Sequence, residues 1–271
     1  MKQTSSLIVG AAIALLVMIL SVATSGGEVP VRYPEVTSHR MFVLRSLDGK
    51  EIGKGELEET TEGRLVTSKL TLNFKNSSLY QETAQFTQDG TFHVSKFHMS
   101  ESGPSFKDAM EMTIDVANGT VEVHADEQNS VAEKQRDWSE HIHLPQDLAN
   151  GIVPLVARNM PAAAGKTTVS MIVATPSPKL VHVTISPTAL QKFRFDGSRL
   201  EATRYAVQVD LSGFTGTLVE MAGRQPAPSF VWMLRGKVPS FLMAQEAFLG
   251  GPVCRIELAR PLTAGGNKEG S

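Results

Sequence analysis

Polar and apolar residues alternate along most of the chain after residue 38. In residues 66–74, 110–116, 181–185 and 205–211, every second position is mostly apolar and the positions between them are mostly polar. Successive side chains on a β-strand point to opposite faces, so this period of two predicts strands with one face in a core and the other in water. Short turn signals separate the runs, which is typical of an antiparallel sheet built from hairpins.

The clearest hairpin signal is the Asn-Gly pair at residues 118–119, which lies between two alternating runs. Asn-Gly favours a two-residue type I′ turn, because both central residues of that turn need positive φ. Such a turn would pair Val116 with Val121, and Ile114 with Val123, on one apolar face. In the strand-like run at residues 91–99, the apolar residues change phase near residues 95–96. This change predicts a β-bulge at that point.

Residues 143–161 depart from the alternation and carry a helical pattern instead. Pro154 removes a backbone donor, so we expect a kink or a restart near Gly151. Taken with the strands around this segment, the pattern predicts a mainly β protein with a large curved, half-barrel-like antiparallel sheet and one central apolar helix. Four apolar residues at spacings i, i+4, i+7 and i+8 would share one face of that helix: Leu148, Ile152, Leu155 and Val156.

The N-terminus has the pattern of an export signal. Residues 7–20 are an unbroken run of apolar residues and glycine behind the basic Lys2, and small residues at Ser21 and Ala23 suit a cleavage site. A secretory signal peptide explains this pattern. The alternative is an uncleaved inner-membrane anchor, because residues 7–23 reach the roughly 17 residues that a spanning helix needs. Both alternatives predict a periplasmic or other extracytoplasmic location.

These patterns divide the chain into four parts. Residues 1–25 are a signal peptide or membrane-anchor helix, and residues 26–37 are a linker that contains two glycines and two prolines. Residues 38–261 form a single β-rich extracytoplasmic domain. Residues 262–271 offer little to bury, so we expect a disordered tail.

Charge and cysteine content narrow the choice of partners. The 26 basic and 28 acidic residues give a net charge of −2, which argues against nucleic acid, since that partner requires a basic face. Cys254 is the single cysteine of the chain, so neither an intramolecular disulfide nor a multi-cysteine metal site can form. Its alternation with Ile256 and Leu258 predicts a small buried core residue.

The sequence has no catalytic signature. The Ala-Gly-Lys-Thr run at residues 164–167 resembles the end of a phosphate-binding loop, but Met160 stands where the first glycine belongs. His141 and His143 would share a strand face, whereas a zinc site needs three or four converging ligands. There is no Gly-x-Ser-x-Gly motif. We therefore predict no catalytic residue, no metal site and no cofactor, and we favour a protein that is not an enzyme.

The order of elements resembles an exported bacterial family, domain of unknown function 3108. The resemblance rests on an apolar helix after HLPQDL, a Gly-Lys strand, a phenylalanine hairpin, a tyrosine-centred strand and the tail SFVWMLRGKVPSFLMAQEAFLGGPVCRIEL. It implies an envelope protein with a strongly curved sheet and a helix on its concave side. That shape is similar to the periplasmic lipoprotein carriers, whose half-barrel holds acyl chains. The family supplies no catalytic residues.

Three functions follow from these patterns, in order of preference. The first is the binding of a lipid, a lipid-linked molecule or another apolar ligand in the concave sheet. The second is a structural or assembly role with another envelope protein, which predicts an exposed sheet edge. The third is hydrolysis, which predicts ionisable groups with shifted pKa in a cleft. An uncleaved N-terminus would add membrane contact. The residues predicted to bind the ligand are the four apolar helix residues and a charge that follows them: Leu148, Ile152, Leu155, Val156 and Arg158.

Overall fold

A single antiparallel sheet of 14 strands dominates the computed structural model of the chain. The predicted leader and tail lie outside the residues that the structure describes, which are 29–126, 135–160, 165–175, 178–195, 198–210, 228–248 and 250–259. The strands are β1 (Ser38–Ser46), β2 (Glu51–Glu62), β3 (Leu65–Phe74), β4 (Leu79–Asp89), β5 (Thr91–Ser102), β6 (Ala109–Asp115), β7 (Thr120–Asp126), β8 (Gln135–His141), β9 (Thr167–Val173), β10 (Lys179–Phe195), β11 (Ser198–Asp210), β12 (Ser229–Leu234), β13 (Ser240–Ala247) and β14 (Val253–Leu258).

The sheet consists of two wings that meet at the strands nearest the two ends of the chain. β1 to β8 form one wing and β9 to β14 the other, and every strand within a wing pairs with its neighbours in sequence. β1 pairs with β14, with Phe42 opposite Leu258. β8 and β9 end the sheet and do not pair with each other over their described residues, so the sheet is not closed into a barrel.

Contacts between the wings show that the sheet is curved. The rings of Tyr80 on β4 and Phe248 after β13 lie 4.8 Å apart, centroid to centroid, although four strands separate β4 from β13 along the sheet. One buried apolar cluster includes Val66 of β3, Val183 of β10 and Ile152 next to the helix. The concave face therefore holds the core, and Cys254 lies in it, fully buried as predicted. These findings confirm a mainly β protein with a large antiparallel sheet.

Residues 147–150, which follow β8 in the chain, lie along the outer edge of β9. The backbone N–H of Ala149 donates to the carbonyl of Ser170 at 2.8 Å, and the N–H of Ser170 donates to the carbonyl of Asp147 at 3.2 Å. The buried amide of Asn150 then accepts from the N–H of Ile172 and donates to its carbonyl. The outer edge of β9 is thus hydrogen-bonded, which removes a template for pairing with another chain.

The helix α1 covers only Val153–Asn159, so the predicted helical range of residues 143–161 is wrong in its first part. Residues 147–150 are used at the edge of β9, and that geometry is incompatible with a helix. Gly151 has φ 75°, and a Cβ there would lie 2.8 Å from Ala84, so the chain turns here before the helix starts. Pro154 lies in the first turn, where its missing donor costs nothing. No helix in the described ranges is long and apolar enough to cross a bilayer.

The hairpin between β6 and β7 forms with a different register from the predicted one. Asp115 pairs with Thr120, and Ile114 pairs with Val121, so the loop has four residues. The side chain of Asp115 accepts a hydrogen bond from the N–H of Asn118 at 3.1 Å, which stabilises the longer turn. Gly119 keeps the expected positive φ of 64°.

Replacement of Gly119 by valine is expected to destabilise the fold by roughly 1–3 kcal/mol, because a β-branched residue resists positive φ. A Cβ at this position would also lie 3.0 Å from the carbonyl oxygen of Ile142. Thermal melting of Gly119→Val beside wild type measures the effect. Gly63→Val is the comparison variant, since Gly63 also has positive φ, 61°, but a Cβ there would meet no atom within 4 Å. It therefore measures the cost of the backbone conformation without the contact to Ile142. An unchanged midpoint for Gly119→Val would contradict the turn geometry.

Candidate functional site

A cavity of about 1180 Å³ lies between the two wings and α1. Its walls are largely apolar and come from strands of both wings, which the curvature of the sheet brings face to face. The helix closes one side through Leu155, and methionines contribute on several strands. The apolar wall residues include Phe97, Met99, Met112, Met171, Val183, Val231, Met233 and Phe241.

The five residues predicted to bind a ligand divide between this cavity and the packed core. Leu155 and Arg158 line the cavity. Leu148, Ile152 and Val156 are at most 2% exposed and lie on the other side, around a space of only about 10 Å³. The division arises within the helix, because Leu155 and Val156 are consecutive and point about 100° apart. Leu148 precedes the helix and lies on the same side as Ile152 and Val156.

Arg158 belongs to a buried ion-pair cluster of Glu35, Arg40, Glu59 and Arg158. Arg158 donates from Nη1 to Glu35, and Arg40 Nη2 lies 2.8 Å from Glu59 Oε2 and 3.3 Å from Glu35 Oε2. Ser38 donates to Glu59 at 2.8 Å. Burial, followed by the charge of Glu35, raises the pKa of Glu59, and Arg40 opposes that shift. The cluster therefore depends on its two guanidinium groups.

The segment before β1 positions this cluster against α1. The buried side chain of Asn159 accepts hydrogen bonds from the backbone N–H groups of Arg32 and Tyr33, each at 2.8 Å, and donates to the carbonyl of Leu155. The side chain of Gln88 accepts from the backbone N–H of Glu35 and donates to its carbonyl. Residues 32–35 are thus held between the helix end and β4.

Three carboxyl groups and a tyrosine form a second polar group in the cavity, here called the glutamate cluster: Tyr80, Glu82, Glu101 and Glu246. Tyr80 and Glu82 share the inward face of β4, and Tyr80 pairs with Glu101 on β5. Glu246 approaches from β13 in the other wing, near enough for its charge to affect Tyr80. The hydroxyl of Tyr80 donates to Glu82 Oε2 at 2.9 Å.

Burial shifts the titration of the glutamate cluster towards the protonated state. It raises the pKa of Glu101 to about 8, with a smaller contribution from Asp108. It raises the pKa of Glu246 to about 7, and the charge of Glu82 adds to this effect. Burial also raises the pKa of Glu82, against the hydrogen bond from Tyr80. Among the residues that the structure describes, no lysine, arginine or histidine forms an ion pair with these carboxyls.

The glutamate cluster was not predicted from the sequence, although the strand pattern contains a signal for it. Glu82 has the same parity on its strand as Ala84 and Phe86, and Glu101 has the same parity as Phe97 and Met99, all of which are buried. A glutamate in phase with core residues is unusual, because a buried carboxylate is costly without a partner. Strand parity was thus sufficient to place Glu82 and Glu101 in the interior.

Histidine-containing groups lie on the outer surface. His141 and His143 are exposed, and His141 Nδ1 lies 3.1 Å from the carbonyl oxygen of Asn118. Another group on the outer face of β1 and β2 consists of His39, Glu56 and Glu58, whose ligand atoms lie within 4.8 Å of one another. This group could hold a metal ion, and it was not predicted from the sequence. Exposed acidic groups of this kind are common and carry no role here.

Comparisons with known proteins give a single structural likeness to report. No family model matches the chain, and no curated protein matches it. The chain is similar to a solved structure described as a beta-barrel-like protein of domain of unknown function 1849 from Brucella abortus, with 9% sequence identity and a TM-score of 0.40. The alignment covers 84% of this chain and 98% of that one. The resemblance to domain of unknown function 3108 is not confirmed and stays a prediction.

Proposed function

We propose that the chain is an exported envelope protein that binds an apolar or lipid-linked molecule in the cavity between the wings. The observation that carries the proposal is the cavity itself, about 1180 Å³ with largely apolar walls. Small-molecule sites typically occupy roughly 300–1,000 Å³ and combine apolar walls with a few convergent polar groups. The glutamate cluster and the ion-pair cluster supply such groups here.

The composition of the walls suits a flexible ligand. Met99, Met112, Met171 and Met233 line the cavity. Methionine is unbranched and polarisable, so it adapts to irregular apolar shapes such as an acyl chain. A cavity of this size admits water, and an apolar occupant would stabilise the protein by removing the apolar walls from contact with that water.

Hydrolysis is the second candidate, because carboxyls with raised pKa in a cavity are the feature that it predicts. The other groups near the cluster weaken this candidate. Burial raises the pKa of the Cys254 thiol to about 12 and raises that of the Tyr80 hydroxyl well above its ordinary value. Neither group would supply an anionic nucleophile near neutral pH, so binding explains the site better. An assembly role through the edge of β9 is disfavoured because residues 147–150 cover that edge.

Native mass spectrometry of the protein purified from envelopes, followed by lipid extraction, tests the proposal. Met171→Trp adds bulk at a half-buried cavity wall, and Leu190→Trp adds the same bulk at an exposed position on β10. We expect a bound mass on wild type and on Leu190→Trp, and less of it on Met171→Trp. Protein free of any bound molecule in repeated preparations would overturn the proposal, and fragments of a cleaved molecule would favour hydrolysis.

Truncation of Leu155 to alanine is expected to cost less stability than truncation of Ile152 to alanine. Ile152 is 1% exposed and packed on all sides, so its loss should cost roughly 2–5 kcal/mol. Leu155 has the cavity on one side and fewer neighbours to lose, so we expect less than about 2 kcal/mol, with altered lipid retention. Urea unfolding of both variants before and after delipidation measures this. Equal, large losses that are indifferent to lipid would place Leu155 in the packed core.

A further inference from the structure

The glutamate cluster places three carboxyls from both wings around Tyr80 in a cavity whose walls are largely apolar. We propose that this part of the cavity binds the cationic, amine-bearing end of an amphiphilic ligand, whose apolar chain lies along the methionine-rich walls. The inference rests on the proposed ligand-binding function and adds the chemical class of the ligand.

Glu101 is the residue that points most directly to a ligand. It is 6% exposed and lines the cavity, and its carboxyl group has no hydrogen-bond or ion-pair partner among the described residues. Buried polar groups in native proteins almost always have a partner, because an unpaired one costs free energy. The side chain faces the cavity, so the partner that it lacks in the protein is supplied by the occupant.

The charges around the cavity favour a cation over an anion. Arg40 and Arg158 are the positively charged residues among the described wall residues. Arg40 is paired with Glu35 and Glu59, and Arg158 is paired with Glu35 through Nη1, while its buried Nε has no hydrogen-bond partner. The three carboxyls of the glutamate cluster have no such counter-charge. An anionic head group would be repelled there, whereas an ammonium group has three donors to share among several carboxylate oxygens.

Binding of an amine should be coupled to proton release. The groups that face Glu101 and Glu246 are Tyr80 and Glu82 on β4, Asp108 in the β5–β6 loop, Ser229 on β12 and Cys254 on β14. None of them is basic. The raised pKa values of Glu101 and Glu246, about 8 and about 7, keep these carboxyls partly protonated at neutral pH. An ammonium group favours their charged forms, so amine affinity should rise as the pH increases from neutrality.

Calorimetric titration of the delipidated full chain with decylamine, decanol and decanoate tests the proposal, since the three probes share one chain and differ in the head group. We expect decylamine to bind at least about tenfold more tightly than decanol, and decanoate to bind least, because one neutralised charge is typically equivalent to a factor of this size. Heats measured in phosphate and in Tris buffer report the protons released.

Glu101→Gln removes the charge but keeps the shape. We expect this variant to bind decylamine about tenfold more weakly and decanol within about twofold of wild type. Glu122→Gln, an exposed change on the outer face of β7, should behave as wild type with all three probes. Glu246→Gln provides a second test should Glu101→Gln fail to fold, which circular dichroism would show.

The outcomes separate the two levels of the proposal. Decanol binding as tight as decylamine, with no effect of either glutamine variant, would overturn the assignment of a cationic head group and leave the apolar-ligand function standing. Failure of all three probes to bind would overturn the ligand-binding function itself. Proton release with decylamine that is lost in Glu101→Gln would support the assignment.

Discussion

From about pH 5 to about pH 8, Glu101 should lower the free energy of unfolding of the delipidated protein by on the order of 3 kcal/mol, since each unit of pKa shift corresponds to about 1.4 kcal/mol. Glu246, with a pKa of about 7, should add to this fall. Burial holds the pKa of Glu101 at about 8 in the folded state, above its ordinary value of 4.5. The folded state therefore binds more protons than the unfolded state in this range. The stability is fully present below the unfolded pKa and is lost as the pH rises through the folded pKa.

Urea unfolding at a series of pH values measures this loss. The side chain at position 101 cannot ionise in Glu101→Gln, so this variant should lack the Glu101 share of the fall while keeping the share from Glu246, and its stability should exceed that of wild type at the alkaline end. Glu122→Gln is the control, because Glu122 is exposed on the outer face and its loss should leave the slope unchanged. Equal slopes in wild type and Glu101→Gln would show that Glu101 is solvated rather than buried.

Replacement of Arg40 by methionine should destabilise the protein by roughly 3–5 kcal/mol, as expected when one partner of a buried ion pair is removed. Glu59 and Glu35 each have side chains that are 1% exposed, and without Arg40 they retain only Arg158 between them. The change also removes the group that holds the pKa of Glu59 down. The pKa of Glu59 should then rise further.

Two further variants give this result a specific meaning. Arg45→Met on the same strand breaks a half-exposed pair with Glu257 at 3.1 Å and should cost only about 0–1 kcal/mol, as is typical of surface pairs. Adding Glu59→Gln to Arg40→Met should recover part of the lost stability, because one uncompensated charge is then gone. A loss that is the same for Arg40→Met and Arg45→Met would contradict a buried cluster.

Alternation of side chains was sufficient to predict the kind of fold. The strand parities predicted which faces are buried, and the phase change near residues 95–96 corresponds to an irregularity in which Gln85 pairs with Lys96 and Phe86 with Val94. The buried face of a strand and a change in its phase can be predicted from the local sequence, because each strand buries one face regardless of which strands it pairs with. The large antiparallel sheet with one helix followed from them.

The helix range and the hairpin register were predicted wrongly, because each depends on a side-chain hydrogen bond that the alternation of polar and apolar residues does not reveal. The side chain of Asn150 forms hydrogen bonds with the backbone of Ile172 on β9. These bonds prevent residues 147–150 from joining the helix that their apolar spacing predicts. The hairpin register depends on the side chain of Asp115, which stabilises a four-residue loop over the tight turn favoured by Asn-Gly. A tertiary hydrogen bond overrode propensity at residues 147–150, whereas at the hairpin a local side-chain hydrogen bond overrode the preference of Asn-Gly for a tight turn.

The candidate site was only partly predictable for a related reason. Leu155 and Arg158 were predicted from the helix, but the glutamate cluster needs strands from both wings and the curvature that brings them together. Its members Glu82 and Glu246 are far apart in sequence, and no local spacing connects them. Their parity could have marked Glu82 and Glu101 as interior residues, whereas their proximity to Glu246 required the structure.

The pairing of β1 with β14 has a consequence for how the chain folds. Each wing is a series of consecutive hairpins, which close short loops quickly, whereas the seam joins residues from opposite ends of the chain. The seam should therefore form last, at the centre of the sheet, after the two wings have collapsed. Until then β1 presents an unpaired edge that contains Phe42 and Leu44, so the half-folded chain is most prone to aggregate at the position that is best protected once folding is complete.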